Sequence, residues 1–257
     1  MGEVSAIAWT NSTFNPWIGC TKVGPGCDNC YAENMDSRKR WGGVTHWGID
    51  KPRMRTSAAN WKKPLAWNAK AETAGKPWRV FCASLADVFD NEIPQEWRND
   101  LFSMIEATPH LTWQLLTKRV GNVLKMVPRR WQIMFPPNVW MGATMVNQDE
   151  YNRDVRALTQ IPARIRWLSI EPQLGPIELR PYVSKSGPID WVVTGGESGA
   201  KARPYDIEWA RSVIQQCRVN GAKPFVKQLG SRQGLRDRAG ADPTEWPEDI
   251  RIQRFPA

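Results

Sequence analysis

Ile165-Arg166-Trp167-Leu168-Ser169-Ile170-Glu171 is a short run rich in β-branched, aromatic and apolar side chains that ends on a carboxylate, and its reading decides the fold. A segment of this length and composition suits a strand buried on both faces. Comparable runs stand on either side of it: Trp191 to Gly195 and Pro224 to Gln228 downstream, and Val139 to Thr144, Thr112 to Thr117, Arg79 to Ser84 and Ala8 to Thr13 upstream. From the second run onward the spacing is about thirty residues, the length of one strand-helix unit. Helical patterns fit between them. From Gln95 onward, Trp97, Leu101, Met104 and Ile105 share one face ahead of Pro109, and Asp206 is a good N-cap for a helix carrying Ile207, Ala210, Val213, Ile214 and Cys217 that closes at Asn220-Gly221.

Alternation of this kind predicts an α/β fold with a parallel sheet and outer helices. Six or seven repeats point to a partial (β/α) TIM-like barrel rather than a flat doubly wound sheet. One domain over residues 1–257 is expected, with a tryptophan-rich basic insertion at 36–77 and an irregular C-terminal tail at 231–257, where Arg, Gly, Pro and Asp replace periodicity. Working groups in such folds sit at the carboxyl ends of strands. Those positions supply Asn11 and Asn15, Ser84 and Asp87, Thr117, Lys118 and Arg119, Thr144 and Asn147, Glu171, Gly195-Gly196-Glu197-Ser198, and Lys227-Gln228. For each, the plain alternative is hydrogen bonding that ties loops together.

Cys20, Cys27 and Cys30 fall within eleven residues. Three clustered thiolates can hold three irons of a [4Fe-4S] cluster and leave the fourth open. Structural zinc usually takes four ligands in two close pairs, whereas this loop has one close pair and an outlier. A zinc site of three cysteines and one histidine, with His46 as the fourth ligand, is the alternative. Cys82 in an expected strand and Cys217 on an expected helix face read as small core residues. Gly24 and Gly26 around Pro25 let the loop bring its backbone close to an inorganic core.

Only two histidines, His46 and His110, are present, a poor basis for a histidine-rich zinc hydrolase or a histidine-dependent triad. No signal-peptide pattern and no run of eighteen apolar residues is seen, so a cytoplasmic protein without a membrane partner is expected. In that reducing setting five cysteines favour metal or redox chemistry over disulfides. Residues 36–77 carry ten Lys or Arg against three acids, so +7 of the formal +9 lies there, interleaved with Trp41, Trp47, Trp61 and Trp67. Cations that neutralise phosphate beside rings that stack on bases make nucleic acid a candidate partner. The plainer reading is a solvated insertion whose tryptophans pack onto the fold.

Asn15-Pro16-Trp17-Ile18-Gly19-Cys20, Gly26-Cys27-Asp28-Asn29-Cys30-Tyr31-Ala32 and Phe225-Val226-Lys227-Gln228-Leu229-Gly230 give the chain, over nearly its whole length, a resemblance to phage-type radical S-adenosylmethionine (SAM) enzymes. The resemblance implies a partial barrel of the radical SAM type, with Cys20, Cys27 and Cys30 on three irons of a [4Fe-4S] cluster and SAM chelating the fourth. It also implies a flavodoxin-like or ferredoxin-like electron donor. Two features depart from the commoner pattern: six residues instead of three separate the first two cysteines, and Asn29 stands where an aromatic residue often lies near adenine, a duty Tyr31 is placed to assume. Ser84 and Asp87 are the candidates for the methionyl amino group. Gly195, Gly196 and Glu197 would approach ribose, adenine or substrate, and Thr144, Asn147 and Glu171 would meet sugar hydroxyls.

Similarity to thymidine-hypermodification members implies an isomerase that converts 5-N-α-glycinylthymidine to 5-C-α-glycinylthymidine in DNA. Lys118, Arg119 and Lys227 would then offer charge to the glycine carboxylate or to DNA phosphate, and Glu197 is a further candidate catalytic residue. Radical repair or modification of another DNA or tRNA base is a second expectation. A non-catalytic, zinc-stabilised nucleic-acid-binding module is a third, from another class.

Overall fold

A computed structural model describes residues 4–38, 41–179 and 189–257. The chain opens with β1 (Ser12–Thr13), then β2 (Trp17–Ile18) and β3 (Met54–Arg55), which pair with each other as an antiparallel ribbon. Six further strands follow: β4 (Trp78–Cys82), β5 (Leu111–Thr117), β6 (Val139–Thr144), β7 (Ile165–Ile170), β8 (Trp191–Gly195) and β9 (Lys223–Gln228). With β1 they form one open, all-parallel sheet in the order β1-β4-β5-β6-β7-β8-β9. That order never reverses. A doubly wound sheet changes direction part-way and leaves a switch point, whereas single winding is the connectivity of a partial barrel. The strands are buried as parallel strands should be, with every residue of β8 inaccessible to solvent.

The helices are α1 (Tyr31–Asp36), α2 (Ala58–Trp61), α3 (Lys63–Ala74), α4 (Gln95–Glu106), α5 (Val123–Met126), α6 (Arg129–Ile133), α7 (Gln148–Thr159) and α8 (Ile207–Asn220). α8 follows the sequence reading: Asp206 accepts from Glu208 N, Ala210, Val213, Ile214 and Cys217 face inward, and Gly221 closes the helix at φ 85°. α4 buries Arg98, Leu101, Phe102 and Ile105, so its inner face is turned slightly from the expected one, with Trp97 and Met104 at its margin. The first strand is shorter than expected. Thr10 N donates to Ile7 O and the Thr10 hydroxyl donates to Ser12 O and Arg79 O, which turns the chain before residue 11 and leaves two residues to pair with β4.

Two compact units divide the chain. One gathers the described residues of Met1–Gly24, Cys30–Met141 and Ile161–Arg164; the other gathers Pro25–Asn29, Gly142–Gln160 and Ile165–Ala257. In the first, the 36–77 segment is folded in. His46 and Asp36 are buried against each other, Nδ1 to Oδ1 at 2.7 Å, and Arg53 pairs with Asp90 at 2.8 Å. Trp67 is buried, Trp41 and Trp47 pack on Ile18, Ala32 and Leu85, and Trp61 lies between Phe14 and the Arg55 guanidinium. Lys39 and Arg40 of the expected basic stretch lie outside the described residues. In the second unit the tail packs Trp246 and Ile250 against Tyr205, Ala210, Ile214, Val226 and Leu229. Its last residues run along β9, with Val226 N donating to Ile252 O and Arg254 N to Pro224 O.

Candidate active site

In the first unit the polar groups at the strand ends converge on the Cys20 turn. Asn15 is buried and bridges two chain segments, its Nδ2 donating to Ser84 Oγ at 3.0 Å and its Oδ1 accepting from Leu85 N at 2.8 Å. These bonds fix the path of the chain beyond β4 and bring Ser84 beside Tyr31, a residue 53 % exposed whose hydroxyl donates to Ser84 O at 2.7 Å. Asp87 follows and is 6 % exposed. Its Oδ1 accepts from Phe89 N and Thr117 Oγ1, and its Oδ2 from Lys118 N and Arg119 Nη1.

Arg119 is the second hub. It donates to Cys20 Sγ at 3.5 Å, to Asp87 at 3.2 Å and to Thr21 O at 2.6 Å, and Asp90 lies 3.5 Å away. Burial opposes its charge, but Asp87, Cys20 and Asp90 together outweigh burial and hold the guanidinium protonated above its usual range. Burial likewise pushes the Cys20 thiol up to about 12, with Asp87 and Asp90 adding to the rise and Arg119 opposing it. Arg53 completes the cluster: it donates to Thr21 Oγ1 at 2.7 Å and to the carbonyls of His46, Gly48 and Lys51. Lys118 enters through its backbone alone; among the described residues its ammonium has no partner. Asn11 precedes β1 and accepts from Arg79 N, so it belongs to the amino side of the sheet rather than to the strand's carboxyl end as expected.

In the second unit Glu171 follows β7 and pairs with Lys227 Nζ at 3.0 Å. Gly195 and Gly196 permit close approach: a Cβ on Gly195 would stand 3.1 Å from both Gln228 O and Glu171 Oε1, and one on Gly196 would stand 2.4 Å from Leu229 O. Thr144, at the end of β6, is buried with no partner for its hydroxyl among the described residues. Asn147 caps α7, accepting from Glu150 N at 2.9 Å while Glu150 accepts from Val146 N. Glu197 accepts from Arg203 N, Nε and Nη2 and from Asn29 Nδ2. Burial works against its charged form, but these bonds outweigh that and keep the carboxyl below the usual range.

None of the five cysteines is in a disulfide; Cys82 and Cys217 are buried core residues as read from sequence, and Cys20, Cys27 and Cys30 are partly exposed. Cys27 ends a 3-10 turn, Pro25–Cys27, and Cys30 precedes α1. Among the described residues no three His, Cys, Asp or Glu side chains are grouped as a metal site. Sequence reasoning missed Arg53, Asp90 and Arg203. No short spacing signals them, since each meets its partners through the fold, whereas the Asn147-x-x-Glu150 pattern carried a legible capping signal.

The fold and these groups define a singly wound parallel α/β protein with polar side chains at its strand ends. Residues 4–246 match the family described as "Protein of unknown function (DUF5131)", and the chain belongs to that family. Neither the curated proteins nor the solved structures contain a match to it.

Proposed function

We propose that this chain is a radical SAM enzyme acting on a modified nucleobase. The carrying observation is the trio of partly exposed thiols at Cys20, Cys27 and Cys30, none of them in a disulfide, the first hydrogen-bonded by Arg119. Three thiols and one vacant position suit a [4Fe-4S] cluster, and hydrogen bonds to its sulfurs are among the protein's means of setting its potential. When bound, that cluster supplies the electron that cleaves SAM to a 5'-deoxyadenosyl radical. In this reading Cys20, Cys27 and Cys30 are the iron ligands, and Arg119 holds positive charge beside the Cys20 sulfur. The buried Thr144 hydroxyl, without a partner among the described residues, is the sort of group a ligand hydroxyl satisfies.

Lys118, whose ammonium has no partner among the described residues, offers that charge to a substrate carboxylate or phosphate. Lys227 can do so only by leaving Glu171. The favoured substrate is 5-N-α-glycinylthymidine in DNA. Its conversion to the C-α isomer conserves atoms: the Cα–H and N–methylene bonds break, and the Cα–methylene and N–H bonds form.

Anaerobic reconstitution with iron and sulfide tests the chemistry. The expected product is brown, absorbs near ~400 nm and cleaves SAM with a reductant, while Cys→Ala at any of the three positions abolishes both. A colourless zinc protein that leaves SAM intact overturns the reading. Incubation with glycinylthymidine-containing DNA, followed by nucleoside mass spectrometry, tests the substrate; SAM cleavage with unchanged nucleoside removes that assignment alone.

A further inference from the structure

Glu197 and Arg203, both on the chain that follows β8, grip the segment that carries Cys27. Arg203 Nη2 donates to Pro25 O at 3.0 Å and its Nη1 to Asp28 Oδ2 at 3.2 Å. Asn29 Nδ2 donates to Glu197 Oε2 at 3.0 Å and to Lys201 O at 2.9 Å. Segment Pro25–Asn29 is thereby bonded at its first residue and its last two to residues 197–203. Glu197 orients the arginine through its remaining bonds, Oε1 accepting from Nη2 at 2.7 Å and Oε2 from Nε at 3.0 Å and from Arg203 N at 2.9 Å. The base of the grip is itself fixed: Ser231 N donates to Glu197 O, and a Cβ on Gly230 would stand 2.7 Å from that oxygen.

A stretch that follows Gly24 and contains Gly26 loses much conformational freedom on being ordered. Charge-assisted bonds from a partly buried pair are the means of offsetting that loss. The Asp28 contact is the weakest, its carboxylate being 60 % exposed. Glu197 Oε2 accepts three hydrogen bonds and Oε1 one from the Arg203 guanidinium, so both carboxylate oxygens are engaged within this grip.

We propose that Arg203 and Glu197 are positioning residues, a clamp that presents Cys27 as an iron ligand and does not itself meet SAM or substrate. The inference rests on the reading of Cys27 as a ligand under the proposed function. Its first test needs no metal. Under native conditions the apo protein is alkylated with iodoacetamide and each cysteine is followed by peptide mass spectrometry, with Cys20 as internal reference.

Arg203→Ala and Glu197→Gln are expected to speed Cys27 alkylation by about tenfold, the size of effect that local opening of a few bonds produces, while Cys20 is unaffected. Arg203→Lys, a point charge that cannot span the same acceptors, is expected to fall between. After anaerobic reconstitution, both strong variants should lose iron to a chelator faster than the unaltered chain. Unchanged Cys27 reactivity in Arg203→Ala and Glu197→Gln overturns the clamp, and so does faster alkylation with unaltered iron retention. If the unaltered chain takes up no iron although Cys27 alkylation responds, the ligand reading fails and the grip on the loop stands.

Discussion

Asp87 accepts four hydrogen bonds on two oxygens, and at the residue scale that number decides its role. A carboxylate so engaged has little capacity left for a ligand's amino group; it organises Thr117, Lys118 and Arg119 around the Cys20 turn. Asp87→Asn removes the counter-charge of a guanidinium whose side chain is 8 % exposed and sets an amide donor against existing donors. The expected cost is about 3 kcal/mol, since breaking a buried pair from one side strands the other. Urea unfolding should show this as a lower midpoint at unchanged slope. A SAM ligand would give the opposite signature, weaker SAM binding at nearly unaltered stability. Thr144 differs from Asp87 because among the described residues no group bonds its hydroxyl.

At the scale of elements, Gly196 links β8 to the chain beyond β9. An added methyl would meet Leu229 O at 2.4 Å and its carbonyl carbon at 2.7 Å, backbone atoms that no rotamer change can clear. Gly196→Ala should destabilise by about 1–3 kcal/mol, read as a fall in melting temperature without any ligand present. The same scale shows what the sequence could reveal. β6 to β9 were legible because strands buried on both faces are short apolar runs, and α8 because Asp206 and Gly221 mark both its ends.

β2, β3 and α3 were not read. The two-residue strands are too brief to show a period, and the buried face of α3 consists of Pro64, Trp67 and Ala71 alone, a stripe hidden within a basic stretch. At the candidate site the cysteines were plain from spacing. The Arg119 bond to Cys20 and the Arg203 grip on Pro25–Asn29 were not, because they join residues about a hundred and more positions apart, a separation that only the tertiary fold closes.

For the whole molecule, charge is the property that bears on a partner. The tryptophans of residues 36–77 are engaged in packing and Arg53 in internal pairing, so stacking on bases weighs less than the composition suggested. Exposed cations such as Arg38, Lys51 and Lys62 remain. If they meet phosphate, affinity for a DNA oligonucleotide should fall steeply with salt, log K changing by about −0.9 per phosphate contact against log salt on duplex. Fluorescence anisotropy from 50 to 200 mM salt measures this (roughly the range over which the effect is largest). A flat response would remove DNA as a partner of that stretch.

The run of the tail along β9 has one more consequence. A terminal strand of a parallel sheet ordinarily leaves a row of unmatched amides and carbonyls on which a foreign chain can assemble. Here Ile252 and Arg254 already occupy that row, and Phe255 is anchored on Trp191 and Phe225. Fibril-like stacking through this flank would first require the tail to be stripped away, so the same residues that complete the core also guard against self-association.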